Sequence, residues 1–221
     1  MRIAIDGPAG AGKSTVARQV AARLGFIYLD SGAMYRCVAL ASRRREIDSG
    51  DAARLGELAE RIEIAFVPHD SGRQDTLLDG EDVSGAIRIP EISALASRVS
   101  VHPGVRTALV ALQRALGARE SCVMEGRDIG TVVFPDAELK IFLTASPEVR
   151  ADRRVRDLAS RGLEAERETV LREIVERDQR DETRETSPLV RADDAVELRT
   201  DGMTPEEVVS RLVKLARERG A

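Results

Sequence analysis

The chain has 221 residues, 43% hydrophobic and 33% charged, a composition that excludes a disordered or fibrous protein and allows one domain with an elaboration or two small ones. Its net charge of −4 argues against a general affinity for nucleic acid or for an anionic membrane surface. With two cysteines and two histidines, Cys37, Cys122, His69 and His102, all far apart, neither a disulfide framework nor a zinc or histidine-based catalytic cluster is expected.

Arg2 to Asp6 is expected as a short buried strand, followed by a glycine-rich turn from Gly7 to Gly12. A helix follows from Lys13, with Val16, Ala17, Val20, Ala21 and Leu24 on one face and Gly25 as its stop. Phe26 to Asp30 forms a second strand, and Ser31 is placed to cap a helix running to about Arg44. Strand, helix and strand make the βαβ unit of a parallel sheet. The period then changes: Ile62, Ile64 and Phe66 alternate, and Thr76 to Val83 reads as a hairpin turning at Asp79-Gly80, so residues 60–88 are expected as a small antiparallel insertion. Helices near Glu91–Val99 and Val105–Leu116 precede core strands at Ser121–Met124 and Glu138–Thr144. Residues 148–185 read as charged helix broken at Arg161-Gly162. Ala195–Leu198 is a fifth strand, and Thr204-Pro205-Glu206-Glu207 supplies the capping box of a final helix. No signal-peptide pattern and no apolar run of about 18 residues occurs, so a cytoplasmic location without a membrane partner is expected.

Gly7-Pro8-Ala9-Gly10-Ala11-Gly12-Lys13-Ser14 matches G-x-x-x-x-G-K-[ST] in full. In such a loop the backbone N–H groups face a phosphate chain, and the helix that follows adds its positive dipole end. Lys13 would reach the β- and γ-phosphates of a nucleotide, and the Ser14 hydroxyl would meet Mg2+. Lysine is kept at only three places, Lys13, Lys140 and Lys214, among 34 basic residues. The chain has no asparagine, so the asparagine-lysine-x-aspartate element that reads guanine is absent, and a small phosphotransferase fits the length better than a motor or transporter. Such an enzyme needs a second pocket for its acceptor. Asp30, Ser31, Tyr35 and Arg36 follow the second strand, and Arg127 and Asp128 follow the third, near the carboxyl edge where α/β sheets bind ligands. Taken singly, Arg36 could be a solvated helix residue and Asp30 a helix cap.

LDSGAMYR (29–36), DGEDVSGAIR (79–88), EGRDIGTVVFPDA (125–137) and ERDQRDETRETSPL (176–189) together resemble the bacterial cytidylate kinases over nearly the whole chain. The resemblance implies a P-loop α/β fold: a three-layer core with a five-stranded parallel sheet, the β insertion at 60–88 and a helical lid. The boundaries it implies are a single domain over 1–221. The core comprises about 1–30, 100–148 and 168–221, the nucleotide-monophosphate region about 31–99, and the lid about 149–167. It implies ATP and CMP or dCMP as substrates, Mg2+ as the cofactor, and a monomer. Gly7, Pro8, Ala9, Gly10, Ala11, Gly12, Lys13, Ser14 and Thr15 would hold ATP, with Arg150, Arg153 and Arg154 as lid arginines. Asp30, Ser31, Tyr35, Arg36, Ser97, Arg106, Arg127, Asp128, Arg177 and Asp181 would hold the acceptor, with Asp128 accepting a hydrogen bond from the exocyclic amine of cytosine. Lys13, Arg127, Arg177 and Arg184 would act on the transferring phosphate. Arg177, Asp181 and Arg184 share one helix face at i, i+4 and i+7; without the resemblance they would read as a salt-bridged surface helix. Glu125 stands where the family commonly has aspartate. The rivals are a kinase of UMP or another small acceptor, and a non-catalytic module regulated by ATP.

Overall fold

In the computed structural model, residues 1–68, 74–160 and 162–221 are described; His69, the start of the 69–73 stretch of the insertion, and Arg161 of the expected helix break lie outside them. In chain order the elements are β1 (Arg2–Asp6), α1 (Lys13–Leu24), β2 (Ile27–Asp30), α2 (Ser31–Arg44), α3 (Ala52–Arg61), β3 (Ile64–Pro68), β4 (Gln74–Leu78), β5 (Glu81–Asp82), α4 (Pro90–Val99), α5 (Pro103–Gly117), β6 (Cys122–Gly126), β7 (Leu139–Thr144), α6 (Pro147–Ala159), α7 (Arg167–Thr183), β8 (Val196–Arg199) and α8 (Pro205–Glu218). Strands β2-β6-β1-β7-β8 form a five-stranded sheet, with parallel pairing of β1 to β6 and β7 and of β7 to β8, and β3-β4-β5 form a separate antiparallel sheet. Chain contacts divide into two compact units, residues 1–28 with 120–221, and residues 29–119. No helix among the described residues is long and apolar enough to cross a membrane.

In the first unit the central strands carry almost continuous apolar runs because both their faces are covered. Ile3, Ile5, Val123, Leu139, Ile141 and Leu143 pack with Val16, Ala17 and Val20 of α1 and Val208, Val209 and Leu212 of α8. The register sets Asp6 opposite Gly126, so the turns after β1 and β6 leave the sheet side by side. Helix α8 starts with the expected capping box: the Thr204 hydroxyl accepts the Glu207 N–H and the Glu207 carboxylate accepts the Thr204 N–H at 2.8 Å. Helices α6 and α7 share a smaller core of Ala151, Leu158, Val170 and Ile174.

The 29–119 unit has its own core, built from α2 to α5 and the small sheet. The β4–β5 turn at Asp79-Gly80 has positive φ at both residues, 50° and 82°, the geometry of a two-residue hairpin. The structure groups residues 100–119, including α5, with this unit rather than with the core strands as the sequence-based boundaries had it. Helix α3 was not expected. Asp51 caps it by accepting the Arg54 N–H at 3.1 Å, and it meets α5 at two glycines: a Cβ on Gly104 would lie 3.2 Å from the Gly56 Cα. Asp30, not Ser31, caps α2, its Oδ1 accepting the Ala33 N–H at 2.9 Å. Aspartate caps a helix as well as serine does, and at residue 30 the chain still has the extended conformation that a cap requires. Cys37 and Cys122 are buried free thiols, pushed by burial up to about 12 and about 11, as expected of packing residues.

Candidate active site

The loop between β1 and α1 is shaped by what Gly7 lacks. A Cβ there would lie 1.9 Å from the Leu143 carbonyl oxygen at the end of β7, and φ is +149°. Lys13 opens α1, is 5% exposed and donates from Nζ to the Pro8 carbonyl at 2.8 Å. Burial and the neighbouring Arg127 push its ammonium down to about 7, with Glu125 acting in the opposite sense and Arg177 in the same one. Ser14 and Thr15 are exposed in the first turn of α1. Two of the three expected lid arginines hydrogen-bond to carbonyls of the loop. Arg150, 3% exposed, donates to the Ala9 carbonyl at 3.0 Å and the Ala145 carbonyl at 2.9 Å, and pairs with Asp178 of α7 at 2.6 Å. Arg153 reaches the Ala11 carbonyl at 3.4 Å and both oxygens of Thr200. Arg154 turns to Asp157 on its own helix, at 3.1 Å.

Beside the loop, at the end of β6, charged groups converge with little solvent. Arg127 donates from Nε to Asp181 of α7 at 2.9 Å, and Arg177 stands 4.0 Å from the same carboxylate oxygen. Burial alone would raise the Asp181 carboxyl, but Arg127 and Arg177 hold it below its ordinary value. The buried Asp128 faces Arg184 at 3.9 Å. Beyond α7 the chain folds back: Arg184 Nε donates to the Ser187 carbonyl at 2.5 Å, Leu189 N–H donates to the Asp181 carbonyl at 2.7 Å, and Ser187 takes a left-handed φ of 52°. Arg127, Asp128, Arg177, Asp181 and Arg184 thus come together in one unit; Arg177 and Asp181 do so from one face of α7, but Arg184, expected on the same face, is the extended residue that caps the end of the helix.

Sequence reasoning noted Glu125 without assigning it a role and missed Asp178 and Asp6. Glu125 accepts a 2.7 Å hydrogen bond from the Tyr28 hydroxyl, Asp178 answers Arg150, and Asp6 accepts two backbone N–H groups from the turn after Asp128. For Asp6 a signal was available, since an acid closing an apolar strand must find partners once buried. Burial pushes its carboxyl up to about 6; the Gly130 and Ile129 N–H groups work against that, Asp128 adds to it, and Lys13 opposes it.

The 29–119 unit carries a second polar group. Arg36 pairs with Asp30 at 2.7 Å, and its Nε is buried without a hydrogen-bond partner among the described residues. The Arg106 guanidinium lies 5.5 Å from the centre of the Tyr35 ring and donates to the Ser100 carbonyl at 3.2 Å. Ser31, Ser97 and Arg106 are all buried. Buried polar groups on three helices of one unit are an unusual investment for packing alone.

A parallel sheet with a glycine-rich phosphate loop after its central strand defines a P-loop α/β protein. The same fold is seen in shikimate kinase from Bacteroides thetaiotaomicron, with a TM-score of 0.50 at 14% identity over 98% of both chains. Residues 3–218 match the family model for cytidylate kinase, and the chain belongs to that family. It is 50% identical over 215 residues to the cytidylate kinase of Carboxydothermus hydrogenoformans, covering 97% of this chain and 96% of that one. It is also 52% identical over 219 residues to a bifunctional pantoate ligase/cytidylate kinase of Prochlorococcus marinus strain MIT 9313, covering 97% of this chain. The chain spans 43% of the length of that bifunctional relative.

Proposed function

We propose that the protein transfers the γ-phosphoryl group of ATP to the α-phosphate of CMP or dCMP, giving ADP and the nucleoside diphosphate. The observation that carries this reading is the cluster of Arg127, Asp128, Arg177, Asp181 and Arg184 around the buried Lys13. Several guanidinium groups in one buried site suit a ligand with two phosphate chains rather than a lone hydroxyl acceptor.

The acceptor oxygen needs no general base, because a phosphate monoester with a second pKa of ~6 is already largely ionised near neutral pH. Catalysis then consists of holding two mutually repelling anions in line and neutralising the charge that develops between them. Lys13 and the loop N–H groups take the donor. Arg127, Arg177 and Arg184 take the acceptor phosphate and the transferring group. Arg36, with its unanswered Nε, is assigned to the acceptor phosphate, and Ser31, Tyr35, Ser97 and Arg106 to the acceptor nucleoside. Arg150 and Arg153 hold the loop carbonyls, and with residues 149–167 form the lid; Arg154 is assigned to the nucleotide side of that lid.

Mg2+ fits this donor set, since the exposed Ser14 hydroxyl is a hard oxygen ligand and the remaining ligands would be phosphate oxygens and water. When bound, it supplies positive charge shared between the donor phosphates. Asp128 accepts from the exocyclic amine of cytosine; uracil presents a carbonyl there, and the two acceptors repel.

The test is ADP release with Mg-ATP and, in parallel, CMP, dCMP, UMP, AMP, GMP or no acceptor, for the wild type and Asp128→Ala. The wild type is expected to prefer CMP over UMP by about 100-fold in kcat/KM, falling to less than about tenfold in the variant. AMP or GMP as the best acceptor, or no stimulation by any monophosphate, would overturn the reading.

A further inference from the structure

The turn that carries the acceptor-reading side chains is clamped by two groups absent from the scheme above. Residues Ile129–Val133 form a π-helical turn in which the Asp128 carbonyl accepts the N–H groups of Val132 at 2.9 Å and Val133 at 3.2 Å. Asp6 offers both carboxylate oxygens, Oδ1 to the Ile129 N–H at 2.8 Å and Oδ2 to the Gly130 N–H at 2.7 Å. Further along the same segment, Lys140 of β7 donates to the Pro135 carbonyl at 2.6 Å and pairs with Asp194 at 2.9 Å. Both side chains press on the same side of Gly130: a Cβ there would lie 3.2 Å from the Lys140 Cδ and 3.3 Å from the Asp6 Oδ2.

A buried carboxylate is costly, and one acceptor would be enough to satisfy one amide. Two acceptors on the last residue of a central strand, meeting two successive amides, fix both the position and the rotation of the turn. Asp128 immediately precedes those amides, and Arg127 precedes Asp128. A rotation of the turn therefore changes where both side chains point. We propose that Asp6 is a positioning residue for the acceptor: by holding the Ile129 and Gly130 amides it aims Asp128 and Arg127, and so sets the discrimination between cytosine and uracil nucleotides. This rests on the assignment of Asp128 to the cytosine amine. Asparagine cannot replace Asp6, because its amide supplies one acceptor and turns an N–H2 against the second backbone N–H.

The experiment compares the full-length wild type, Asp6→Asn and Gly130→Ala in steady-state kinetics with CMP and with UMP, alongside ATP affinity in the absence of acceptor and thermal unfolding. Gly130→Ala crowds the Asp6 carboxylate at the same turn while leaving residue 6 itself intact, and carries the test if Asp6→Asn does not fold. The expected result is a fall of about tenfold or more in the CMP-to-UMP ratio of kcat/KM for either variant, with ATP affinity within about threefold of wild type. Equal losses for CMP and UMP, leaving the ratio unchanged, would show a merely structural role and overturn the proposal. A loss of ATP affinity with an unchanged ratio would overturn it too, placing the effect in the phosphate loop. A wild type that does not discriminate CMP from UMP would instead overturn the assignment of Asp128, and the selectivity role of Asp6 with it.

Discussion

Arg127→Ala is expected to lower kcat/KM for CMP by about three orders of magnitude, the scale seen when a transition-state arginine is removed from a phosphoryl-transfer site. It is also expected to destabilise the protein by about 3–5 kcal/mol, because the substitution strands the partner of a buried ion pair. Asp181 would keep Arg177, 4.0 Å away, and the weaker influence of Arg184. Its carboxyl is held below the ordinary value of 3.8 in the wild type, so its contribution to stability is present above that pH and lost as pH falls through the lower folded value. The deficit of the variant should therefore be full at neutral pH and should shrink towards pH 4 and below, as protonation removes the stranded charge. Urea unfolding at several pH values reads the stability component, and initial rates with saturating ATP read the catalytic one. A deficit that does not depend on pH would mean that Asp181 is not the stranded group.

Gly7→Ala should be the more severe change for donor binding. The new Cβ would fall 1.9 Å from a backbone carbonyl, so either the loop or the end of β7 must move, and the positive φ adds strain for any L-residue. A cost of about 3 kcal/mol or more in stability is expected, at the upper end of overpacking effects. ATP affinity should drop by about 100-fold or more, the equivalent of 2.7 kcal/mol of lost loop geometry. Gly85→Ala is the matched control: φ is −78°, nothing lies within 4 Å of the added Cβ, and the change should stay within about 0.5 kcal/mol. Equal effects of the two substitutions would show that the loop tolerates the side chain.

Local patterns made much of this molecule legible from its residues. The phosphate loop, the capping box at Thr204 and the Asp79-Gly80 turn are each specified within a few neighbouring positions, and the structure has them where the sequence placed them. Features specified by distant partners were not legible. Gly56 lies in a stretch where no helix was expected, but it is the residue that lets α3 approach α5 at Gly104. Asp6 reads as the polar end of a strand, but its partners lie 123 and 124 residues away. The charged helix α7 has the spacing of an exposed, salt-bridged face. Its burial at Asp181 goes with Arg127, 54 residues earlier and just past the end of β6, which no helical period encodes. Arg150 was expected among the lid arginines; its hydrogen bond to the Ala9 carbonyl, 141 residues away, is another contact that no local pattern encodes.

The double attachment of Arg150 has a thermodynamic consequence. One guanidinium nitrogen is shared between the phosphate loop, at Ala9, and α7, at Asp178, one turn before Asp181. A ligand that draws Arg127 away from Asp181 would alter the charge felt along α7, and Arg150 gives that change a buried route to the loop beside the direct action of Arg177 on Lys13. Because linkage is reciprocal, a monophosphate that firms the loop for its triphosphate partner must itself be held more tightly by the same factor once the partner is in place. The two substrates would then license each other, and the triphosphate would spend little time in a fully assembled site with only water to attack it.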